Sequence, residues 1–328
     1  MDWNEPEIMF ATGVVEQACR LAQEVRVQMA ARDLTKGDAS PVTVADFAVQ
    51  ALVGHGLAEI FPEVPLVGEE DSTMLRAEAN REVLDLVTQF TGRYVSHAND
   101  DLVCEWIDRG GDEPCGRFWT LDPIDGTKGY LRGGQYAVAL ALIEDGKVVL
   151  GVLGCPALAG DCSPQEGDGA VVVAKRGEGT WSRPLNGGGF ERLQVSPCTD
   201  AKHARMLRSF EAGHTNVDQV DDIAAKLGAE GAAVGMDSQA KYAVLAAGGG
   251  ELLFRLLSPK RPDYKEMIWD QAAGSIILEE AGGTITDLLG QPLDFGQGKT
   301  LANNRGVFAS NGPLHAAGLA AIREVCSL

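Results

Sequence analysis

The chain has 328 residues, 45% of them apolar, enough to build one large domain or two ordinary ones around buried cores. Its 47 acidic residues outnumber the 28 basic ones and leave a formal net charge of −19, which disfavours binding along a nucleic acid polymer but leaves room for a few focused cations to hold a small nucleotide. No apolar run reaches the roughly 18 to 20 residues of a membrane span, and Met1-Asp2-Trp3-Asn4-Glu5-Pro6-Glu7 lacks the basic start of a secretory signal. The expected setting is intracellular and away from membranes: cytoplasmic or, if a transit peptide has been removed, chloroplast or mitochondrion. Seven cysteines, an odd number without a Cys-x-x-Cys pair, argue against a disulfide scaffold or a four-thiolate zinc site and favour buried thiols.

Apolar residues at helical spacing from Pro6 to Met29 predict a long amphipathic helix with Asn4 as its cap. A second helix is predicted from Thr43, with Val44, Phe47 and Leu52 inward and Phe61-Pro62 as its end. Phe118-Trp119-Thr120-Leu121 reads as a strand. Tyr136 to Ile143 and Lys147 to Leu153 form a hairpin around Glu144-Asp145-Gly146, and a second hairpin spans Ala170 to Trp181. The first half is thus helix pairs on a mainly antiparallel sheet. Beyond the loop Leu185-Asn186-Gly187-Gly188-Gly189, strand and helix patterns alternate: Arg205 to Phe210, Val217 to Leu227, Gln239 to Ala247 and Glu251 to Leu257. A helix from Trp269 to Ala281 stops at Gly282-Gly283, and a last one follows Asn311-Gly312. The expected division is an α+β domain over 1–190 and a smaller α/β domain over 191–328.

The strongest chemical signal is Trp119-Thr120-Leu121-Asp122-Pro123-Ile124-Asp125-Gly126-Thr127-Lys128-Gly129, with two aspartates three apart between a strand and a turn. Pro123 holds the residue before it extended and Gly126 permits dihedrals that other residues resist, so both carboxylates can be aimed at one point. If a short helix follows Gly126, its free N–H groups would suit a phosphate oxygen. An isolated Asp-x-x-Asp is more commonly a turn or a cap. Here, though, acidic residues recur at other element ends: Gly68-Glu69-Glu70-Asp71 after Pro65-Leu66-Val67, and Trp269-Asp270 at a helix start. Asp46 has two readings, as the acidic end of a Thr43-x-x-Asp46 capping box or as a ligand at a second metal. Clustered carboxylates repel each other and phosphate alike unless hard divalent cations lie between them. All-oxygen ligation points to magnesium, since the five histidines lack zinc spacing.

Together these segments resemble the lithium-sensitive inositol monophosphatase superfamily. Ser40-Pro41-Val42-Thr43-Val44-Ala45-Asp46, Asp125-Gly126-Thr127-Lys128-Gly129-Tyr130-Leu131-Arg132-Gly133 and Asp237-Ser238-Gln239-Ala240-Lys241-Tyr242 are most similar to its 3′(2′),5′-bisphosphate nucleotidases. The resemblance implies a layered αβαβα sandwich of the sugar phosphatase kind. It also implies hydrolysis of the 3′-phosphate of 3′-phosphoadenosine 5′-phosphate to AMP by metal-activated water, extending to 3′-phosphoadenosine 5′-phosphosulfate and to inositol 1,4-bisphosphate. Two or three magnesium ions, with inhibition by lithium, are implied by the same resemblance. Carried over residue by residue, Glu69, Asp122, the Ile124 carbonyl, Asp125 and Asp270 are expected metal ligands, with Asp46 at a further ion. Asp46, Glu69 and Thr127 are expected to act in catalysis, Thr127 by orienting the attacking water. Gly126, Thr127, His214, Ser238, Lys241 and Arg255 are expected to contact substrate.

Each nucleotide contact has a plainer alternative: Lys241 as a solvated face residue, Arg255 paired with an acidic neighbour, His214 as a structural hydrogen-bonder. Gly213 before the histidine and the short Asp263 to Ile268 stretch depart from the usual wording. The rival enzyme reading is an inositol polyphosphate 1-phosphatase or inositol monophosphatase on the same carboxylates; Asp237 to Tyr242 favours the nucleotide. A non-catalytic nucleotide or ion sensor is the rival of another class, and the intact acidic set together with Thr127 argues against it.

Overall fold

A computed structural model describes residues 1–30, 40–209, 217–258 and 260–327. The chain opens with two long helices, α1 (Pro6–Ala30) and α2 (Pro41–Ile60), which pack on each other. Both start differently from the sequence expectation. Met9 N–H donates to the Glu5 carbonyl, which puts Glu5 and not Asn4 at the α1 N-cap position. Ser40 caps α2, its hydroxyl accepting from Thr43 N–H at 3.2 Å with Pro41 in the first turn, so Thr43 lies inside the helix and no capping box ends at Asp46.

The following elements are β1 (Leu66–Gly68), two further helices α3 (Arg81–Thr91) and α4 (Asp100–Asp108), β2 (Arg117–Asp125), and the six-residue α5 (Thr127–Arg132). Then come the strands β3 (Ala137–Glu144), β4 (Lys147–Cys155), β5 (Ala170–Lys175), β6 (Gly179–Pro184) and β7 (Glu191–Arg192). They form a seven-stranded sheet in chain order, antiparallel except where β1 lies parallel to β2. The rest of the chain gives β8 (Met206–Arg208), α6 (Val217–Leu227), β9 (Val234–Gly235), α7 (Ala240–Ala246) and β10 (Leu252–Arg255). It closes with α8 (Ala272–Glu280), β11 (Thr284–Thr286), β12 (Val307–Ser310) and α9 (His315–Cys326). These strands make a mixed five-stranded sheet in the order β11-β12-β10-β8-β9. The change of sheet falls between Arg192 and Met206, and we propose that connection as the seam between the two domains.

Three hydrophobic cores fill the spaces between five layers. The first lies between the α1–α2 helices and the seven-stranded sheet, the second runs from that sheet past α7–α8 to the near face of the five-stranded sheet, and the third lies between the five-stranded sheet and α6–α9. The layering is therefore αβαβα. Strand β3 shows why its sequence is a continuous apolar run: Val138, Leu140 and Leu142 enter the first core, while Ala137, Ala139, Ala141 and Ile143 enter the second. Alanines on the inner face let α8 approach closely. A Cβ on Gly151 of β4 would come within 2.5 Å of Ile276 and 2.9 Å of the Ala273 carbonyl.

All seven cysteines are free thiols. Cys19, Cys104, Cys155 and Cys162 are buried as expected, whereas Cys115 is exposed and Cys198 and Cys326 are half-buried. Among the described residues no helix is long and apolar enough to cross a membrane.

Candidate active site

The Asp-x-x-Asp motif acts through a defect in a strand. The sequence placed both aspartates between a strand and a turn; in the structure β2 continues through Asp125. On a regular strand two residues three apart point to opposite faces. Here Asp122 pairs with Ala139 and Asp125 with Ala137, so β2 carries one extra residue between them, and Pro123 and Ile124 drop out of the register. The bulge restores parity. Both carboxylates then share a face with Ala137 and Ala139, toward the inner layer. Pro123 is tolerated mid-sheet because it sits in the bulge, where no ladder N–H is needed.

These carboxylates open into a cleft of about 430 Å³ whose walls also include Glu69, Ile124, Gly126, Thr127, Ser238, Lys241, Arg255 and Asp270. Of the expected site residues that are described, only Asp46 does not line it. Asp46 lies on α2 close enough to Glu70 and Glu69 that, after burial itself, their charges help raise its pKa well above the usual carboxylate value. His214 lies outside the described residues. Asp270 stands two residues before α8, inside the turn that the Gln271 and Ala272 N–H groups close on the Ile268 carbonyl ahead of the helix.

The acidic loop is held by a residue that sequence reasoning missed. Gln50, fully buried on α2, donates from Nε2 to the Glu70 carbonyl at 2.5 Å and to the Ile107 carbonyl at 2.9 Å, and its Oε1 accepts from Glu70 N–H at 3.0 Å. Gly68 and Gly110 are packed on this amide, where a Cβ would lie 2.6 and 2.3 Å from it. One side chain thus fixes the backbone beside Glu69. An uncharged Gln one turn after Asp46 was the only signal in the sequence. Of the three acidic residues, Asp71 is exposed outside the cleft, and its Oδ1 accepts from Thr73 N–H at 2.8 Å.

Electrostatics within the cluster run against ionisation. Burial pushes Asp122 well above the normal range, and the charges of Glu69, Asp125 and Asp270 push further. Asp270 is raised to about 8 by burial, with Asp125, Glu266 and Glu69 adding to it and Arg255 opposing. Glu70 is raised to about 7 by burial and by its neighbours Glu69 and Asp71. Glu69 is open to solvent within the cleft, yet its carboxylate comes within hydrogen-bonding reach of Asp122, an arrangement of two acceptors. Asp122 Oδ1 is buried without a partner. A hard cation satisfies both conditions, since it neutralises the repulsion and ligates the orphaned oxygen. As they stand, no three acidic, histidine or cysteine side chains among the described residues enclose a cation. What the structure supplies is a donor set of the right chemistry, crowded on one wall.

The facing wall comes from the second sheet's side. Ser238 adopts φ +67°, the left-handed region that costs a β-carbon-bearing residue energy. That conformation turns Gln239 N–H toward Asp125, whose Oδ2 accepts it at 2.6 Å. The Gln239 side chain then ties Trp269 and α8 together, donating to the Trp269 carbonyl at 3.0 Å and accepting from Gly274 N–H at 3.1 Å. Gly126, at φ +91°, lies so near that a Cβ there would sit 2.8 Å from Ser238 Cβ.

Lys241 is not a surface residue. It is 4% exposed, its Nζ reaches Ser209 Oγ at 3.3 Å, and burial lowers its pKa to about 8 despite the opposing pull of Asp125. Arg255 does have an acidic partner, Glu266 at 2.6 Å, but on the loop before Trp269 and not on its own strand. Glu266 accepts in turn from Gln271, which accepts from Tyr242. Arg255 Nε is buried and unpartnered.

One cleft thus brings together a set of carboxylates, the buried Lys241 and the half-buried Arg255, in an αβαβα sandwich of the sugar phosphatase kind. The chain belongs to the inositol monophosphatase family, whose model matches residues 3–327. Members of that family are generally magnesium-dependent and lithium-sensitive. Among curated relatives, a 3′(2′),5′-bisphosphate nucleotidase of Schizosaccharomyces pombe is 41% identical over 93% of this chain and 92% of its own length. Enzymes of the same name from Emericella nidulans and Oryza sativa are 38% and 40% identical, covering 99% and 97% of this chain and 99% and 94% of their own lengths. Among solved structures, an inositol monophosphatase of Thermotoga maritima superposes with a TM-score of 0.65 at 20% identity, covering 98% of this chain and 99% of that one, which establishes the shared fold.

Proposed function

We propose that the protein hydrolyses the 3′-phosphate of 3′-phosphoadenosine 5′-phosphate to give AMP and inorganic phosphate, and that it accepts 3′-phosphoadenosine 5′-phosphosulfate in the same way. The carrying observation is the pairing, in one cleft, of the carboxylate wall with Lys241 and Arg255. A substrate with one phosphate to react and a second to be recognised matches both walls. The names of the full-length relatives point to the same substrate.

In this reading Glu69, Asp122, the Ile124 carbonyl, Asp125 and Asp270 hold magnesium, and Asp46 serves a further ion. Bound magnesium would supply Lewis-acid activation of water and charge neutralisation at the reacting phosphoryl group. The chain's own part is positioning. Thr127, exposed to the cleft at the first position of α5, orients the attacking water through its hydroxyl. Gly126 leaves room for the phosphate beside Ser238, and Lys241 and Arg255 hold the second phosphate as charge-assisted donors. His214 is kept as a further substrate contact. Inositol 1,4-bisphosphate, with its own two phosphates, is the second candidate substrate.

Phosphate release from the nucleotide and from inositol 1,4-bisphosphate, each with magnesium and then with chelator, tests the assignment. A chelator-sensitive preference for the nucleotide is expected. Preference for the inositol substrate would leave the carboxylate wall its role and remove the nucleotide reading.

A further inference from the structure

The carboxylates and the two cations account for both phosphates of such a substrate and leave one wall of the cleft without a task. That wall is Tyr264 with Met267, both half-buried, on the stretch between β10 and Trp269. We propose that Tyr264, backed by Met267, is the specificity-determining platform on which the purine base stacks; this rests on the nucleotide reading above.

Three observations converge on it. Tyr264 lines the same cleft as Arg255 and Asp270; burial pushes the pKa of its hydroxyl up to about 12, and the charges of Glu266, Asp270 and Arg255 also act on it. A nucleotide whose second phosphate lies on Arg255 therefore has its remaining portion near this ring. The segment is also braced. Arg261 N–H donates to the Ser258 carbonyl at 2.8 Å and Tyr264 N–H to the Arg261 carbonyl at 3.3 Å. Lys265 Nζ donates to the Asn304 carbonyl at 2.8 Å, Leu301 N–H donates to the Glu266 carbonyl at 2.9 Å, and Met267 forms a bridge with Thr300. A pre-positioned ring loses little freedom on binding. Finally, the Arg261 guanidinium lies over the Tyr264 ring, 5.4 Å from its centroid, so that it backs one face of the ring and the base takes the other.

The same wall explains how one metal core can separate two substrate classes. An inositol bisphosphate fills the carboxylate and cation walls and gains nothing from the third. Base–aromatic stacking at this scale changes affinity by about 5- to 150-fold on truncation to alanine.

The test compares three substrates on wild type, Tyr264→Ala and Tyr264→Phe: 3′-phosphoadenosine 5′-phosphate, ribose 3,5-bisphosphate, which keeps both phosphates but has no base, and inositol 1,4-bisphosphate. Melting temperatures confirm folding. Tyr264→Ala is expected to raise KM for the nucleotide by about 5- to 150-fold and to leave both base-free substrates unchanged, while Tyr264→Phe behaves as wild type. Equal losses on all three substrates, or no loss on the nucleotide, overturns the platform. Wild type that handles nucleotide and ribose bisphosphate alike also overturns it while leaving the proposed function standing. Wild type that does not hydrolyse the nucleotide removes the function itself.

Discussion

Replacing Gln50 by methionine keeps the shape of the side chain and removes its amide. Two half-buried backbone groups, Glu70 N–H and Glu70 C=O, then lose their partner, while the Ile107 carbonyl keeps the bond it accepts from Gly110 N–H at 2.9 Å. Each orphaned group costs roughly 1 to 3 kcal/mol, so the net loss is about 3 kcal/mol. At about 2.1 cal/mol/K of unfolding entropy per residue over the whole chain, that lowers Tm by about 4 °C. The more telling effect is on the ion. The Glu69–Glu70 backbone loses its fixed position, and loss of such an outer support weakens metal affinity by about 10- to 100-fold. Differential scanning fluorimetry in chelator, followed by a magnesium titration of Tm without substrate, reads both effects. A lowered Tm with a wild-type magnesium response would make Gln50 a core staple with no bearing on the site, and an unchanged Tm would refute the hydrogen-bond reasoning itself.

Gly126→Ala puts a β-carbon into the left-handed region, at about 1 to 2 kcal/mol, and against Ser238; KM is expected to rise by roughly tenfold with a small loss of Tm, and an unaltered KM would contradict the contact. Lys241, with its pKa lowered to about 8 by burial, is charged below that pH and neutral above it, so KM for the nucleotide should climb as pH passes 8 and stay flat in Lys241→Arg; a flat wild-type profile would separate Lys241 from the substrate. The same depression means the unfolded chain binds the proton more tightly between about 8 and the usual 10.5, so this group's contribution to stability rises with pH across that window. Asp125→Asn keeps an acceptor for Gln239 N–H but removes one charge from a self-repelling cluster. Activity should fall by at least about a hundredfold while Tm in chelator holds or rises, and near-normal turnover would end its assignment as a ligand.

Much of this was written in the sequence where local rules dominate. The glycines at 177 and 179 set the β5–β6 turn, and Gly282 at φ +96° stops α8 where the pattern predicted. What escaped depends on tertiary pairing. The bulge in β2 exists because β3 spans the same stretch with one residue fewer, which Asp-Pro-Ile-Asp alone does not declare. Helices α3 and α4 went unread although Val83, Leu86, Val87 and Phe90 keep helical spacing and Asn99 caps α4 through Leu102 N–H at 3.1 Å. Gln50 and Gln239 were passed over for a related reason. A neutral amide carries no charge signature, and its value appears only once the backbone groups it bonds have been brought beside it by the fold. Lys241 shows the converse: beside its expected substrate contact the sequence left a solvated-face position open, and only the packing of α7 between two sheets buries it.

The most direct test of the central claim is 31P NMR of 3′-phosphoadenosine 5′-phosphate turned over in 18O-labelled water with magnesium. The expected products are AMP, its 5′-phosphate intact and unlabelled, and inorganic phosphate carrying a single 18O from the attacking water. Label in the nucleotide, loss of the 5′-phosphate, or no magnesium-dependent turnover would contradict it.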